Sequence, residues 1–230
     1  MQSDGVKVIF EDNHVIVAVK PAGVLSQADL TTAPDMLTIL KSYIKEKYQK
    51  PGNVYLGLVH RLDRPVEGLM VFAKTSKAAS RLSGQIRERK ITKRYRAVVY
   101  GRLPDSGRFE NYILKDSGSN TVTVYDAPYK DAKRSYLDYS CTGRGNFMGR
   151  DVSLADIELG TGRSHQIRSQ FSHAGFPLVG DRKYGKKDDF RGDICLQSYL
   201  LGFDHPTTGE HLEFRLDAGD RSPWDLFEVK

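Results

Sequence analysis

Short apolar runs rich in β-branched residues recur along the chain, with turn residues between them. Residues 7–10 (KVIF) and 15–19 (VIVAV) flank the polar stretch 11–14, which predicts a hairpin. We expect further strands at 69–73, 92–100, 121–125, 134–140, 152–159, 194–200 and 211–216. Because these strands are short and follow one another in hairpin-like series, the chain should form a mostly antiparallel or mixed sheet.

Helical periodicity is confined to three segments. Residues 35–48 carry Leu37, Leu40, Ile44 and Tyr48 at helical spacing, and a second helix follows a cap at Thr75 or Ser76. A third helix is predicted at 164–174, between glycine-rich corners. Residues 143–146 (GRGN) read as a loop tip, and no linker is evident. We therefore expect one α+β domain over residues 1–230.

Positive charge is concentrated in one segment. The chain contains 35 Lys and Arg against 29 Asp and Glu, a net charge of +6, which favours polyanionic partners such as RNA, DNA or anionic lipid. Between residues 74 and 102 the only acid is Glu88, and this stretch is predicted to face RNA. Its cations are Lys74, Lys77, Arg81, Arg87, Arg89, Lys90, Lys93, Arg94, Arg96 and Arg102.

The two cysteines, Cys141 and Cys195, lie far apart and belong to no C-x-x-C pair, which argues against a disulfide scaffold and a cysteine zinc site. The N-terminal residues are not typical of a signal peptide, and no apolar stretch approaches the length of a membrane span. We expect a cytosolic protein that does not associate with membranes.

Three stretches carry residues suited to chemistry. The first, HRLDRPVEGLM (60–70), places Asp63 between Arg61 and Arg64. A carboxylate flanked by cations stays ionised and can act as a nucleophile or base. Taken alone, such an aspartate more often forms a structural ion pair. The arginines beside it could grip phosphates or stack on bases.

The second stretch, KRYRAVVYG (93–101), lies in a predicted strand. Strand alternation places Tyr95 on the same face as Ala97 and opposite Arg94 and Arg96. Its apolar neighbours predict either a core tyrosine or a ring in a cleft that stacks on a base.

The third stretch, residues 159–185, is dense in glycine, histidine and arginine. Gly160 and Gly162 permit a tight turn into the helix, where backbone N–H groups could meet an anion. His165 and His173 lack a third ligand at metal spacing, so we expect no zinc site. There is no P-loop, dinucleotide fingerprint or nucleophile elbow.

Together these stretches resemble the RluA family of pseudouridine synthases. HRLD before a glycine and an apolar strand matches that family's catalytic signature. K-x-Y-x-A-x-V-x-G and G-R-x-H-Q-I-R, the latter followed by G-x-P-x-x-G-D-x-x-Y-G, match its second and third motifs. The opening EDNHVIVAVKPAGVLSQ (11–27) is also similar to the family's start. The likeness runs from about residue 7 to residue 216, in the family's order.

The resemblance implies a fold with a long mixed sheet and a central catalytic cleft, and a reaction that converts uridine in a structured ribosomal or transfer RNA to pseudouridine. It implies that Asp63 is the catalytic carboxylate, that Tyr95 packs against the flipped base and that Arg168 pairs with Asp63. We expect the following residues to contact RNA: Arg61, Arg64, Lys93, Arg94, Arg96, Arg163 and His165. Arg61 would enter the gap that the flipped nucleotide leaves.

The reaction gains no atoms and changes no oxidation state, so we expect no metal, cofactor or nucleotide, and a monomer is the default. Two departures from the family pattern stand out. Val66 and Glu67 replace the Thr/Ser pair that often follows HRLD, and we expect no N-terminal S4 domain. The alternative hypothesis is a non-catalytic RNA-binding or ribosome-assembly factor with the same fold, although the presence of Asp63, Tyr95 and Arg168 together argues against it.

Overall fold

A computed structural model of the chain describes residues 2–3, 5–29, 33–116, 118–185 and 190–227. The chain divides into two compact units. The first consists of Met1–Lys93 and Ser198–Leu216, and the second of Arg94–Gln197 and Asp217–Lys230.

Strands provide most of the regular structure. They are β1 (Gln2–Ser3), β2 (Val6–Glu11), β3 (Val15–Lys20), β4 (Gly57–Leu58), β5 (Glu67–Ala73), β6 (Thr92–Tyr100), β7 (Ser106–Asp116), β8 (Thr121–Tyr125), β9 (Lys133–Phe147), β10 (Arg150–Leu159), β11 (Leu196–Asp204) and β12 (His211–Arg215). The helices are α1 (Met36–Lys47), α2 (Ser76–Arg87) and α3 (Gln166–His173), and a 3₁₀ turn spans Trp224–Leu226. The predicted α+β class is confirmed.

In the first unit the strands follow the order β1-β2-β3-β5-β11, with β4 paired to β5 and β12 to β11. The predicted hairpin is present as the antiparallel pair β2–β3. β3 and β5 are buried along almost their whole length and form the core with Ala78 and Leu82 of α2. The two helices begin at side-chain caps, where Asp35 accepts from the Thr38 N–H and Thr75 from the Ala78 N–H, both at 3.1 Å.

In the second unit the order is β6-β10-β9-β7-β8, and each strand is antiparallel to its neighbour. Helix α3 packs on one face of this sheet, where Phe171 meets Phe109 with ring centroids 5.0 Å apart. A second apolar cluster joins Val98, Val152 and Leu154 to Trp224 near the C-terminus. No helix among the residues described is long and apolar enough to cross a membrane.

Two expectations about this unit were incomplete or wrong. Strand β7 was not predicted, because Gly107, Glu110 and Asn111 interrupt its apolar alternation. The loop tip predicted at 143–146 is wrong, since these residues lie inside β9. The actual turn is Met148-Gly149, where both residues have positive φ. Gly143 serves instead as a packing position, because a Cβ there would lie 2.7 Å from Cδ1 of Phe227.

Candidate active site

The loop that carries Asp63 is held by hydrogen bonds to the segment after β3. Ser26 Oγ accepts from the Leu62 N–H at 3.0 Å and donates to the Leu62 carbonyl at 2.8 Å. The Arg64 carbonyl accepts from the Gly23 N–H at 2.9 Å, and Arg64 Nε donates to the Gly23 carbonyl at 3.0 Å. Both neighbours of Asp63 are therefore fixed by hydrogen bonds to residues about 40 positions earlier in the chain.

Lys20, at the end of β3, makes a further connection. Its side chain is fully buried, and Nζ donates to the carbonyls of Pro21, Val24 and Arg64 at 2.9, 2.6 and 2.9 Å. Burial lowers the pKa of Lys20 to about 7, although the carboxylates of Asp63 and Glu67 act in the opposite direction. The lysine-proline turn noted in the sequence thus anchors the Asp63 loop.

His60, the first residue of HRLD, is buried and hydrogen-bonded to the backbone. Its Nε2 accepts from the Val71 N–H of β5 at 3.1 Å. Burial, followed by the charge of Lys93, lowers the pKa of His60 to about 3. The ring is therefore neutral at physiological pH with its proton on Nδ1, and it ties the motif to the strand that follows. The sequence offered no separate signal for this role.

Glu67, one of the departures from the family pattern, begins β5 and is half-buried. Gly68 beside it has a φ of 151°, and a Cβ there would lie 2.5 Å from the Ser198 side chain of β11. The glycine of the HRLD signature therefore allows β11 to approach β5 closely.

In the second unit, Tyr95 lies in β6 opposite Ile157 of β10, and its side chain is 7% exposed. Arg96 is opposite Asp156 and is also buried. The apolar surroundings predicted for Tyr95 are confirmed by Ala97 and Val99, which lie two and four residues further along the strand and are fully buried. The ring is therefore largely buried.

Arg168 on α3 forms a buried, two-bond ion pair with Asp181. Its Nε and Nη2 donate to Oδ2 and Oδ1 of Asp181 at 2.8 and 2.7 Å, and neither side chain is more than 6% exposed. Burial alone would raise the pKa of Asp181, but the hydrogen bond and charge of Arg168 lower it below its usual value. The sequence did not identify this partner, and the predicted pairing of Arg168 with Asp63 stays a prediction.

Asp181 also organises the turn after Gly180. Its Oδ1 accepts from the N–H groups of Lys183 and Tyr184 at 2.9 and 3.1 Å. The Tyr184 ring packs against the Arg168 guanidinium, with 5.2 Å from Cζ to the centroid. The G-D-x-x-Y motif therefore acts as a support for the arginine of the H-Q-I-R motif.

His165 precedes α3 in a left-handed conformation, with φ 53°. Its Nδ1 lies 2.6 Å from the Tyr184 hydroxyl, which in turn accepts from the Val122 N–H. Gly160 is needed for a different reason than the tight turn predicted, because a Cβ there would lie 1.8 Å from the Tyr136 ring. Gly162 has open space around it.

Comparison with known proteins identifies the family of this chain. A family model described as RNA pseudouridylate synthase matches residues 14–173. The chain belongs to the RNA pseudouridylate synthase family. It is an isomerase that modifies RNA by forming pseudouridine from uridine.

Individual relatives match over nearly the whole chain. The chain is 36% identical to the uncharacterized RNA pseudouridine synthase YlyB of Bacillus subtilis (strain 168), over 96% of this chain and 71% of that protein. It is 32% identical to ribosomal large subunit pseudouridine synthase D of Vibrio parahaemolyticus, over 93% and 67%. Human RNA pseudouridylate synthase domain containing 1 has the same fold, with a TM-score of 0.74, 24% identity and coverage of 92% and 82%.

The cations expected to contact RNA differ in exposure in this pseudouridine synthase. Arg61, Arg64 and Arg163 are exposed, and Lys93 is half-buried with its pKa lowered by burial. Arg94 is half-buried and paired with Asp156 and Glu158 at 3.3 and 2.9 Å. Arg96 is 4% exposed, so its guanidinium offers almost no surface to a phosphate.

The basic stretch 74–102 is also partly neutralised in the synthase. Lys74 is paired with the buried carboxylate of Glu11, Lys90 with Glu88 and Arg102 with Asp151. The exposed cations on and after α2 are Lys77, Arg81, Arg87, Arg89 and Lys90. The exposed cations of this stretch thus lie on α2, on its C-terminal turn and at Arg102, and their contact with RNA stays a prediction.

The described part of the synthase contains no group of three or more His, Cys, Asp or Glu side chains that could hold a metal ion. The functional groups that the three motifs supply are the carboxylate of Asp63, the phenol of Tyr95 and the guanidinium of Arg168.

Proposed function

We propose that this enzyme converts uridine to pseudouridine in large-subunit ribosomal RNA, with Asp63 as the catalytic carboxylate. The observation that supports Asp63 as the catalytic residue is that both of its neighbours, Leu62 and Arg64, are hydrogen-bonded to the segment after β3. A carboxylate on a fixed loop is pre-organised, so little ordering is needed when the substrate binds.

Asp63 could attack C1′ of the ribose, attack a carbon of the base, or remove a proton from the sugar. In each route the N1–C1′ bond breaks, uracil turns, and a C5–C1′ bond forms with loss of the C5 proton and gain of a proton at N1. The overall change is an isomerisation, so we propose that no cofactor takes part.

We propose that Tyr95 packs against the extruded base and that Arg168 pairs with Asp63, keeping it ionised and oriented. Extrusion of a stacked base costs a few kcal/mol, which an aromatic contact offsets. The ion pair with Asp181 supports this role because it fixes the direction of the Arg168 side chain through two bonds.

The RNA class rests on the relatives. Proteins named ribosomal large subunit pseudouridine synthase D from Vibrio parahaemolyticus and Neisseria meningitidis are 32% and 33% identical to this chain. We therefore favour ribosomal over transfer RNA. The exposed side chains of Arg61, Arg64 and Arg163 are suited to phosphate contacts. A monomeric state, a single catalytic domain over residues 1–230 and a cytosolic location stay predictions.

The test is site-resolved pseudouridine mapping of ribosomal and transfer RNA from cells that carry the wild-type gene, a deletion or Asp63→Asn. We expect one or more large-subunit sites to disappear in the deletion and in Asp63→Asn cells. Glu67→Gln is the matched control, since it neutralises the neighbouring carboxylate and should retain the modification. Circular dichroism and RNA binding of purified Asp63→Asn should match wild type.

Retained turnover in Asp63→Asn would reject the catalytic assignment. An unchanged modification map in the deletion strain would favour the non-catalytic RNA-binding or assembly factor instead. Loss of sites in transfer RNA alone would correct the substrate class and leave the reaction in place.

A further inference from the structure

The three strands β8, β7 and β9 of the second unit have an inner and an outer face. On the inner face, Asn111 of β7 accepts from Gln170 of α3 at 2.9 Å, and Phe109 packs against Phe171. Arg108, Glu110 and Tyr112 alternate with these residues and so occupy the outer face.

Aromatic and basic side chains share this outer face with Glu110, which is paired with Arg134 at 2.7 Å. Tyr112 is directly opposite Tyr125 of β8 on one side and Arg134 of β9 on the other. Directly opposed residues point to the same face of a sheet. The result is a row from Tyr125 through Tyr112 to Arg134 across three strands.

The row continues into the turn after β8 as a pair of stacked rings. Tyr125 and Tyr129 lie with centroids 4.2 Å apart and planes inclined by only 17°. Tyr129 is 39% exposed, and Nζ of Lys130 lies 5.1 Å from its ring centroid. A stacked ring pair with one exposed member, next to a cation, resembles the surfaces on which proteins stack unpaired bases.

The turn that carries Tyr129 is held in place. Asp126 Oδ1 accepts from Asn111 Nδ2 at 3.0 Å and lies 2.8 Å from Nε2 of His173 on α3. The Ala132 N–H donates to the Tyr129 carbonyl at 2.8 Å. Because these bonds fix the backbone on both sides of the stack, little conformational entropy is lost when a ligand adds to it.

We propose that the Tyr125–Tyr129 stack, with Lys130, is a platform on which an unpaired base of the RNA substrate stacks. The inference rests on the proposed function for its choice of RNA, and it adds a contact surface separate from the three motifs. The exposed charges around the stack are balanced, with Asp126 and Asp131 against Lys130 and Lys133. The choice of a nucleic acid therefore rests on the stacked rings, since an aromatic face can stack on any unpaired base.

The test compares Tyr129→Ala and Tyr129→Phe with Tyr55→Ala. Tyr55 is an exposed tyrosine of the first unit for which no ring contact is found among the described residues. Each purified variant is titrated at fixed salt into fluorescein-labelled oligoadenylate and into a fully paired RNA duplex of the same length. Fluorescence anisotropy gives Kd, and the thermal midpoint confirms folding.

We expect Tyr129→Ala to weaken single-strand binding by roughly tenfold and to leave duplex binding within about twofold, since stacking needs an unpaired base. Tyr129→Phe, which keeps the ring, should bind like wild type, and so should Tyr55→Ala. On a substrate RNA, Tyr129→Ala should raise KM and leave kcat unchanged.

Equal loss of single-strand and duplex binding, or unchanged single-strand binding by Tyr129→Ala, would overturn the platform. A Tyr129→Ala protein that binds RNA normally but loses a protein partner would also overturn it. The binding assays do not depend on turnover, so a wild-type protein that makes no pseudouridine would reject the proposed function while leaving the platform testable.

Discussion

Lys20 Nζ donates to the carbonyl of Arg64, 44 residues later in the chain, at 2.9 Å. The same ammonium also reaches the carbonyls of Pro21 and Val24. A single buried amino group therefore joins the lysine-proline turn after β3 to the HRLD loop of the proposed catalytic aspartate.

Replacement of Lys20 by Met keeps most of the length of the side chain and removes its three hydrogen bonds. Each of the three carbonyls would lose the bond from Nζ, although the Arg64 carbonyl keeps the Gly23 N–H, so we expect the free energy of unfolding to fall by about 2–4 kcal/mol. The rate of pseudouridine formation should fall further than the loss of folded protein explains, since the Asp63 loop loses an anchor. Urea unfolding and turnover at a temperature where the variant is folded measure the two effects.

The control is Lys45→Met, at an exposed position of α1, which should change stability by no more than about 0.5 kcal/mol. If Lys20→Met unfolds at the wild-type urea midpoint, the anchoring role is wrong.

Asp181→Asn should remove the carboxylate that makes two hydrogen bonds to the buried guanidinium of Arg168. Removing one partner of a buried ion pair costs about 3–5 kcal/mol, because a desolvated charge loses part of its compensation. The comparison is Asp151→Asn, which breaks the exposed pair with Arg102 in the same unit and should cost about 1 kcal/mol or less. Thermal or urea unfolding of both variants measures the loss in the free energy of unfolding. Equal losses would contradict the greater importance of the buried pair.

The carboxylate of Glu11 should make the protein sensitive to acid. Burial would raise its pKa, but hydrogen bonds from Lys47 and Lys74 lower it from 4.5 to about 2. A pKa lower in the folded than in the unfolded state gives stability that is present above pH 4.5 and is lost as the pH falls toward 2.

Glu11→Gln should therefore reduce stability near neutral pH by on the order of 1–2 kcal/mol, allowing for solvent screening, and should flatten the pH profile below 4.5. Urea midpoints measured from pH 7 down to the acid limit of the fold test this. Parallel curves for wild type and variant would show that another group controls acid stability.

Gly160 and Gly162 form a matched pair for testing close packing before α3. A Cβ at Gly160 would collide with the ring of Tyr136. The backbone carbonyl of Tyr136 also accepts from the Gly160 N–H at 3.1 Å. Gly160→Ala should destabilise the protein by about 2 kcal/mol or more. Gly162→Ala meets nothing within 4 Å and should be neutral or slightly stabilising. Calorimetry on both variants gives the difference, and similar midpoints would refute the packing argument.

Local patterns in the sequence were sufficient for much of the fold. The β2–β3 hairpin, the cap at Thr75 and the helical spacing of Leu40 and Ile44 depend on near neighbours, and the structure agrees with them. The errors occurred where distant contacts decide. Gly143 lies inside β9 with Phe227, more than 80 residues later, packed over it, and β7 is a strand although its composition is weak.

The sequence by itself determined the family and the residues that are proposed to carry the chemistry, since Asp63, Tyr95 and Arg168 lie in motifs that match those of the RluA family. Only the tertiary structure decided what supports them: three carbonyls around Lys20, a strand N–H on His60 and the carboxylate of Asp181 on Arg168. Some of these partners are tens of residues apart in the chain, and burial is what makes an unpaired donor or charge costly. A motif gives the residue that is proposed to react. Which residues hold it in place depends on which groups the fold buries beside it.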